Sequence, residues 1–170
     1  MEKDLEGRGF PAFYPTLEGC VARDLRFAAA LEESYMEELG AVAAYTYRSL
    51  LWARREPDAA ALFERLAKEE MLHFRMLGEL ILALGGNPVI QANMRVQGIE
   101  RDGRSGIKRE SRGRAALYAD SIREERRGID RYQTLMGRTQ DRVVRSVLAH
   151  LLSDEHRHVE ALCREQKGDF

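Results

Sequence analysis

Two stretches of this chain, LAKEEMLHFRML at 66–77 and LLSDEHRHVEAL at 151–162, carry one arrangement twice: an acid, a glutamate, two residues, a histidine, all framed by leucines. The leucines recur at three- and four-residue spacing, which is one face of an α-helix, and a leucine face belongs in a core. A carboxylate and an imidazole in the middle of such a face cost several kcal/mol unless something pairs with them. Whatever this chain folds into must bring these two faces to a common partner.

The surrounding sequence supplies the helices. Prolines occur only at 11, 15, 57 and 88, and the long stretches rich in Ala, Leu, Glu and Arg favour helix. The pattern predicts a first helix over about 23–55, after an FPAFYPT lead-in whose aromatics pack on the bundle. Pro57 and Asp58 suit a helix start and open a second over 58–85, closed by Gly85-Gly86-Asn87-Pro88. A third spans 114–136, and Thr139 is the expected cap of a fourth over 140–166. Short connections make helices one and two a hairpin, and helices three and four another. Residues 86–113 between them lack periodicity. They are long enough to run the length of a helix, since an extended residue spans roughly 3.3 Å. Two hairpins joined by a long crossover are an all-α, ferritin-like four-helix bundle, here a single domain over 1–170.

Each helix has one expected core seam. Helix one offers Leu31, Tyr35, Glu38, Val42, Tyr45, Ser49 and Trp52, and helix three Tyr118, Ser121, Glu125, Gly128, Tyr132 and Leu135. Helix two offers Phe63, Leu66, Glu70, His73, Leu77, Leu80 and Leu84, and helix four Val144, Leu148, Leu151, Glu155, His158 and Leu162. Every seam holds a glutamate at its middle. ELGAVAAY at 38–45 also matches ERRGIDRY at 125–132, so both halves share a frame, as an internal duplication leaves behind. Four buried glutamates and two histidines, with no lysine or arginine on the seams, call for a multivalent cation. Residues at i and i+3 lie about 5–6 Å apart on a helix, so each Glu-x-x-His can present an oxygen and a nitrogen to one metal.

This constellation resembles the di-iron and di-manganese carboxylate proteins of the ferritin-like superfamily, and in style the erythrin domain of rubrerythrins, over roughly residues 25–165. The resemblance implies Glu38, Glu70, His73, Glu125, Glu155 and His158 as metal ligands and as the catalytic set. It implies that Tyr45 and Tyr132 hydrogen-bond ligand carboxylates across the bundle, and that Glu69 and Asp154 orient the histidine of a facing helix. Glu124 is the alternative to Glu125 if the third helix holds a π-bulge, but its seam would bury Asp120 and Arg131. Two departures stand out: these residues carry no CxxC of a rubredoxin part, and Arg127 stands where rubrerythrins carry a further acid.

The implied activity is that of an oxidoreductase holding two iron ions and reacting with hydrogen peroxide or dioxygen, a peroxidase or ferroxidase supplied with electrons by an unidentified donor protein. Two manganese ions, giving catalase-like chemistry, and iron storage are the alternatives. The resemblance also implies a homodimer. A net charge of −1 offers no general field for nucleic acid or anionic lipid, although residues 95–114 are locally basic. No apolar run approaches a membrane span, and the polar N-terminus is unlike a signal peptide, so a soluble cytoplasmic protein is expected. His150 and His156 fall off the seam and are expected at the surface.

Overall fold

The computed structural model describes residues 21–90 and 113–167, which form four α-helices: α1 (Leu25–Trp52), α2 (Pro57–Ala83), α3 (Arg114–Gly137) and α4 (Arg142–Lys167). No strand occurs among the described residues. The FPAFYPT segment and the basic stretch from Arg95 to Arg112 lie outside them.

Local chemistry sets the ends. Asp24 caps α1, its Oδ1 accepting from the amides of Arg26 and Phe27 at 3.1 and 2.9 Å. Pro57 occupies the first turn of α2, where a missing N–H costs nothing. The far end of α2 is closed by Gly85, whose φ of 85° few side chains tolerate. Gly86 N–H donates to Ile81 O and Gly85 N–H to Leu82 O, both at 2.9 Å, the pair of bonds that satisfies the last helical carbonyls. The cap of α4 is Asp141, not Thr139: Asp141 Oδ1 accepts from Val143 and Val144 at 2.9 and 3.0 Å, while the Thr139 hydroxyl accepts from Asp141 N–H one step earlier.

Contacts between helix ends fix the topology. Asp24 N–H donates to Leu84 O at 3.1 Å, so α1 begins where α2 ends. At the opposite end Arg114 bridges Glu56 at 3.0 Å and Glu165 at 2.9 Å, joining the starts of α2 and α3 to the end of α4. Helices α1 and α2 form one antiparallel hairpin and α3 and α4 the other, while α2 and α3 run parallel. This is the ferritin-like bundle.

The seams of α2, α3 and α4 are buried along their whole expected length. That of α1 is rotated slightly toward its C-terminal end: Val42, Ser49 and Trp52 are only half-buried, and Ala44 and Arg48 take the inward positions. One apolar cluster gathers Phe27, Leu31, Leu77, Leu80, Leu135 and Leu148 near the start of α1. A second gathers Phe63, Leu66, Tyr118, Ile122 and Leu162 toward the other end. The layer between them is polar, and all four helices contribute to it.

Candidate metal centre

That middle layer is the meeting point of the six residues singled out by the sequence. Glu38 comes from α1, Glu70 and His73 from α2, Glu125 from α3, and Glu155 and His158 from α4; none is more than 4 % exposed. They form two overlapping groups, Glu38-Glu70-His73-Glu155 and Glu70-Glu125-Glu155-His158, within each of which one ligand atom per residue lies within 4.8 Å of the others. Glu70 and Glu155 belong to both groups. Such an arrangement suits two ions that share two carboxylates and have one imidazole and one further carboxylate each.

Neighbouring side chains fix which atoms face inward. His73 Nε2 points out to Asp154 Oδ2 at 3.2 Å and His158 Nε2 to Glu69 Oε2 at 2.8 Å, each acid belonging to the facing helix. The Nδ1 atoms face the carboxylates: His73 Nδ1 is 2.9 Å from Glu70 and 3.5 Å from Glu155, and His158 Nδ1 is 3.0 Å from Glu70 and 3.1 Å from Glu125. An imidazole that donates its Nε2–H to an acid turns a lone pair at Nδ1 toward these oxygens, so a proton or a metal ion must lie between. The rings sit 5.5 Å apart. From the other hairpin partner, Tyr45 donates to Glu125 and Tyr132 to Glu38. Gly128 leaves room for Glu155, whose carboxyl carbon would lie 3.2 Å from an added Cβ.

The electrostatics of this layer reflect crowded acids. Burial, then the charges of Glu125 and Glu38, push Glu70 up to about 7. Burial and the same kind of repulsion, from Glu125 and Glu70, raise Glu155 well above the carboxylate range. Burial also opposes ionisation of Glu38, but hydrogen bonds from His73, Glu70 and Tyr132 outweigh it and hold Glu38 at about 2. Glu125 is lowered in the same way, burial being outweighed chiefly by its hydrogen bonds with His158 and Glu155. Burial disfavours both imidazolium ions, yet the Glu70 charge and the surrounding carboxylates lift His73 and His158 well above their ordinary value. In the metal-free protein the layer therefore neutralises itself with protons, in places where metal ions can replace them. The donor set of four carboxylates and two imidazoles fits iron or manganese.

The sequence-level alternatives resolve clearly. Glu125 is buried, whereas Glu124 is half-exposed and pairs with Arg127 at 2.9 Å, and α3 is α-helical throughout. His156 is exposed, but His150 is half-buried, with Nε2 3.5 Å from Asp154. The expectation that no basic residue enters a seam is corrected by Arg48, which is buried, donates to Ser121 Oγ at 3.1 Å and lies over the Tyr45 ring. The signal was present: Arg48 follows Tyr45 by three residues, which keeps it on the same helix face.

A family model for the ferritin-like domain matches residues 28–165, which contain all six residues and both hairpins. The chain belongs to the ferritin-like family. No curated protein matches it. Among solved structures, this ferritin-like chain is similar to a dodecameric thioferritin, the bacterioferritin-related protein of Bacteroides fragilis, at 23 % identity and a TM-score of 0.70 over 90 % of each chain. It is similar to Mycobacterium tuberculosis bacterioferritin at 21 % identity and a TM-score of 0.68, over 86 % of this chain and 87 % of that one. Desulfovibrio desulfuricans bacterioferritin, described with a diiron site in different catalytic states, shares 18 % identity at a TM-score of 0.70, over 84 % and 78 %. At these identities the likeness shows the fold alone. Among the described residues no helix is long and apolar enough to cross a membrane.

Proposed function

We propose that this ferritin-like chain is a di-iron carboxylate protein that oxidises ferrous iron, or reduces hydrogen peroxide, at the layer between the two apolar clusters. The observation that carries the reading is the pair of overlapping ligand groups sharing Glu70 and Glu155. Two bound irons would supply two-electron chemistry toward peroxide or dioxygen. The chain's own residues do the rest. Glu38 and Glu125, kept ionised chiefly by His73 and His158 and hydrogen-bonded by Tyr132 and Tyr45, each contribute a negative charge to one metal position. His73 and His158, oriented by Asp154 and Glu69, direct one nitrogen to each position. Leu66, Leu77, Leu151 and Leu162 lie fully buried on the same seams, which keeps the layer out of bulk water.

Two finer readings rest on different support. The rubrerythrin-like reading is a peroxidase whose electrons come from a separate donor protein, in a homodimer in the cytoplasm. The storage reading is favoured by the three structural neighbours named above, which are described as bacterioferritins or bacterioferritin-related, one of them dodecameric. Gel filtration separates them, because storage needs a shell of many copies and the peroxidase does not. Manganese in place of iron would make the chemistry catalase-like.

The function is tested by loading the protein anaerobically with ferrous iron and adding peroxide. The expected result is about two ferrous ions oxidised per peroxide consumed, at a rate that collapses in His73→Ala and His158→Ala. Oxidation no faster than that of free ferrous iron would remove the enzymatic reading.

A further inference from the structure

The two halves of the candidate metal centre are related residue by residue, and of the positions of α1 and α3 that are buried in both halves only one differs in charge. An offset of 87 carries Glu38 to Glu125, Tyr45 to Tyr132 and Ser34 to Ser121, all buried. The same offset carries Arg48 to Leu135. A guanidinium therefore lies beside Ser121 in one half, where the other half has the apolar Leu135 and the buried Ser34. Arg48 is 4 % exposed, with Nη1 3.1 Å from Ser121 Oγ and its guanidinium carbon 5.4 Å from the centre of the Tyr45 ring. Tyr45 in turn donates to Glu125. Ser121 stands one turn before Glu125 on α3, and its hydroxyl donates to Leu117 O at 2.9 Å, leaving its lone pairs to Arg48. The guanidinium is thus fixed in place and lies on the Glu125 side of the layer.

We propose that Arg48 is a positioning residue that makes the two metal positions unequal, so that the Glu38-His73 position fills before the Glu125-His158 position. The inference rests on the two-metal reading above. A fixed positive charge in a buried, weakly screened setting repels a divalent ion more strongly the nearer the ion is bound. The guanidinium is one tyrosine ring away from Glu125, whereas Glu38 and Tyr132 have Leu135 at the matching place. For charges separated by about one side chain, such a difference in distance changes affinity roughly tenfold. An ordered filling would let one metal be retained while the other is exchanged, which is what a centre that repeatedly takes up ferrous ions requires.

The test measures each position alone with cobalt(II), which does not react with dioxygen under these conditions and whose visible bands report coordination. His158→Ala leaves the Glu38-Glu70-His73-Glu155 group intact, and His73→Ala leaves the Glu70-Glu125-Glu155-His158 group. In the otherwise native chain, cobalt should bind His158→Ala roughly ten times more tightly than His73→Ala. Adding Arg48→Leu to both should bring the two affinities within about threefold, and adding Arg48→Lys, which keeps the charge, should preserve the difference. Circular dichroism checks that the Arg48→Leu chains are folded; Leu matches Leu135, and Ser121 keeps its bond to Leu117. Equal affinities in the native background, or a difference that survives Arg48→Leu, would overturn the role of Arg48 while leaving the centre intact. No cobalt bound by the native chain would instead overturn the metal reading, and the inference with it.

Discussion

Replacing Glu70 by Gln separates what the middle layer costs the metal-free protein from what it gains by binding metal. Glu70 is 1 % exposed and lies between His73 Nδ1 at 2.9 Å and His158 Nδ1 at 3.0 Å, and burial with the charges of Glu125 and Glu38 pushes it to about 7. An acid raised in the folded state binds its proton more tightly there than in the unfolded chain. Stability therefore falls as pH rises from the ordinary carboxylate value toward the raised one. The displacement from 4.5 to about 7 corresponds to about 3 kcal/mol lost at pH 8. At pH 5, where Glu70 is already protonated in the folded state, the loss shrinks to below about 1 kcal/mol. Glutamine keeps the shape and cannot ionise. Metal-free Glu70→Gln should thus be more stable than the native chain by up to about 3 kcal/mol at pH 8 and nearly equal to it at pH 5, by urea unfolding in chelator. With metal the order should reverse, since Glu70 belongs to both ligand groups and a ligand in thousandfold excess over its Kd adds about 4.1 kcal/mol, more than the burial of Glu70 costs. A variant less stable than the native chain in chelator at pH 8, or an equal gain at both pH values, would refute this electrostatic picture.

Tyr132→Phe removes the hydroxyl that donates to Glu38 and should cost about 1.5–3 kcal/mol at pH 7, read from urea midpoints. Glu38 is depressed to about 2, so its contribution is present above the ordinary carboxylate value and is lost as pH falls through 2; without the tyrosine the acid-unfolding curve should move to higher pH. Gly128→Ala places a Cβ 3.2 Å from the Glu155 carboxyl while adding roughly 1 kcal/mol of helix propensity to α3. The metal-free protein should keep its melting temperature or gain a few degrees, and cobalt affinity should fall about tenfold as Glu155 retreats; unchanged affinity would show that Glu155 does not need the space.

The bundle and the polar layer were legible because both depend on periodicity. Glu70, His73, Glu155 and His158 sit on seams of leucine, and only a metal or an equivalent partner makes that pattern affordable. Tyr45, Tyr132, Glu69 and Asp154 followed from resemblance, and their contacts across the bundle required the structure. The misses have physical causes. A seam drawn at strict three- and four-residue spacing led to Ser49, whereas the drift of a 3.6-residue helix turned Arg48 inward. Thr139 and Asp141 are both good caps, and only the position of the first helical amides distinguishes them. The same seam rule puts His150 at the surface, although it stands one turn before the buried Asp154 on α4 and is half-buried beside it.

The most direct measurement is elemental analysis of protein purified without chelator, beside a Glu70→Ala/His158→Ala variant. About two irons are expected per native chain and almost none in the folded variant. A native chain that takes up neither iron nor manganese, even after anaerobic reconstitution, would contradict the assignment of these six residues as a metal centre.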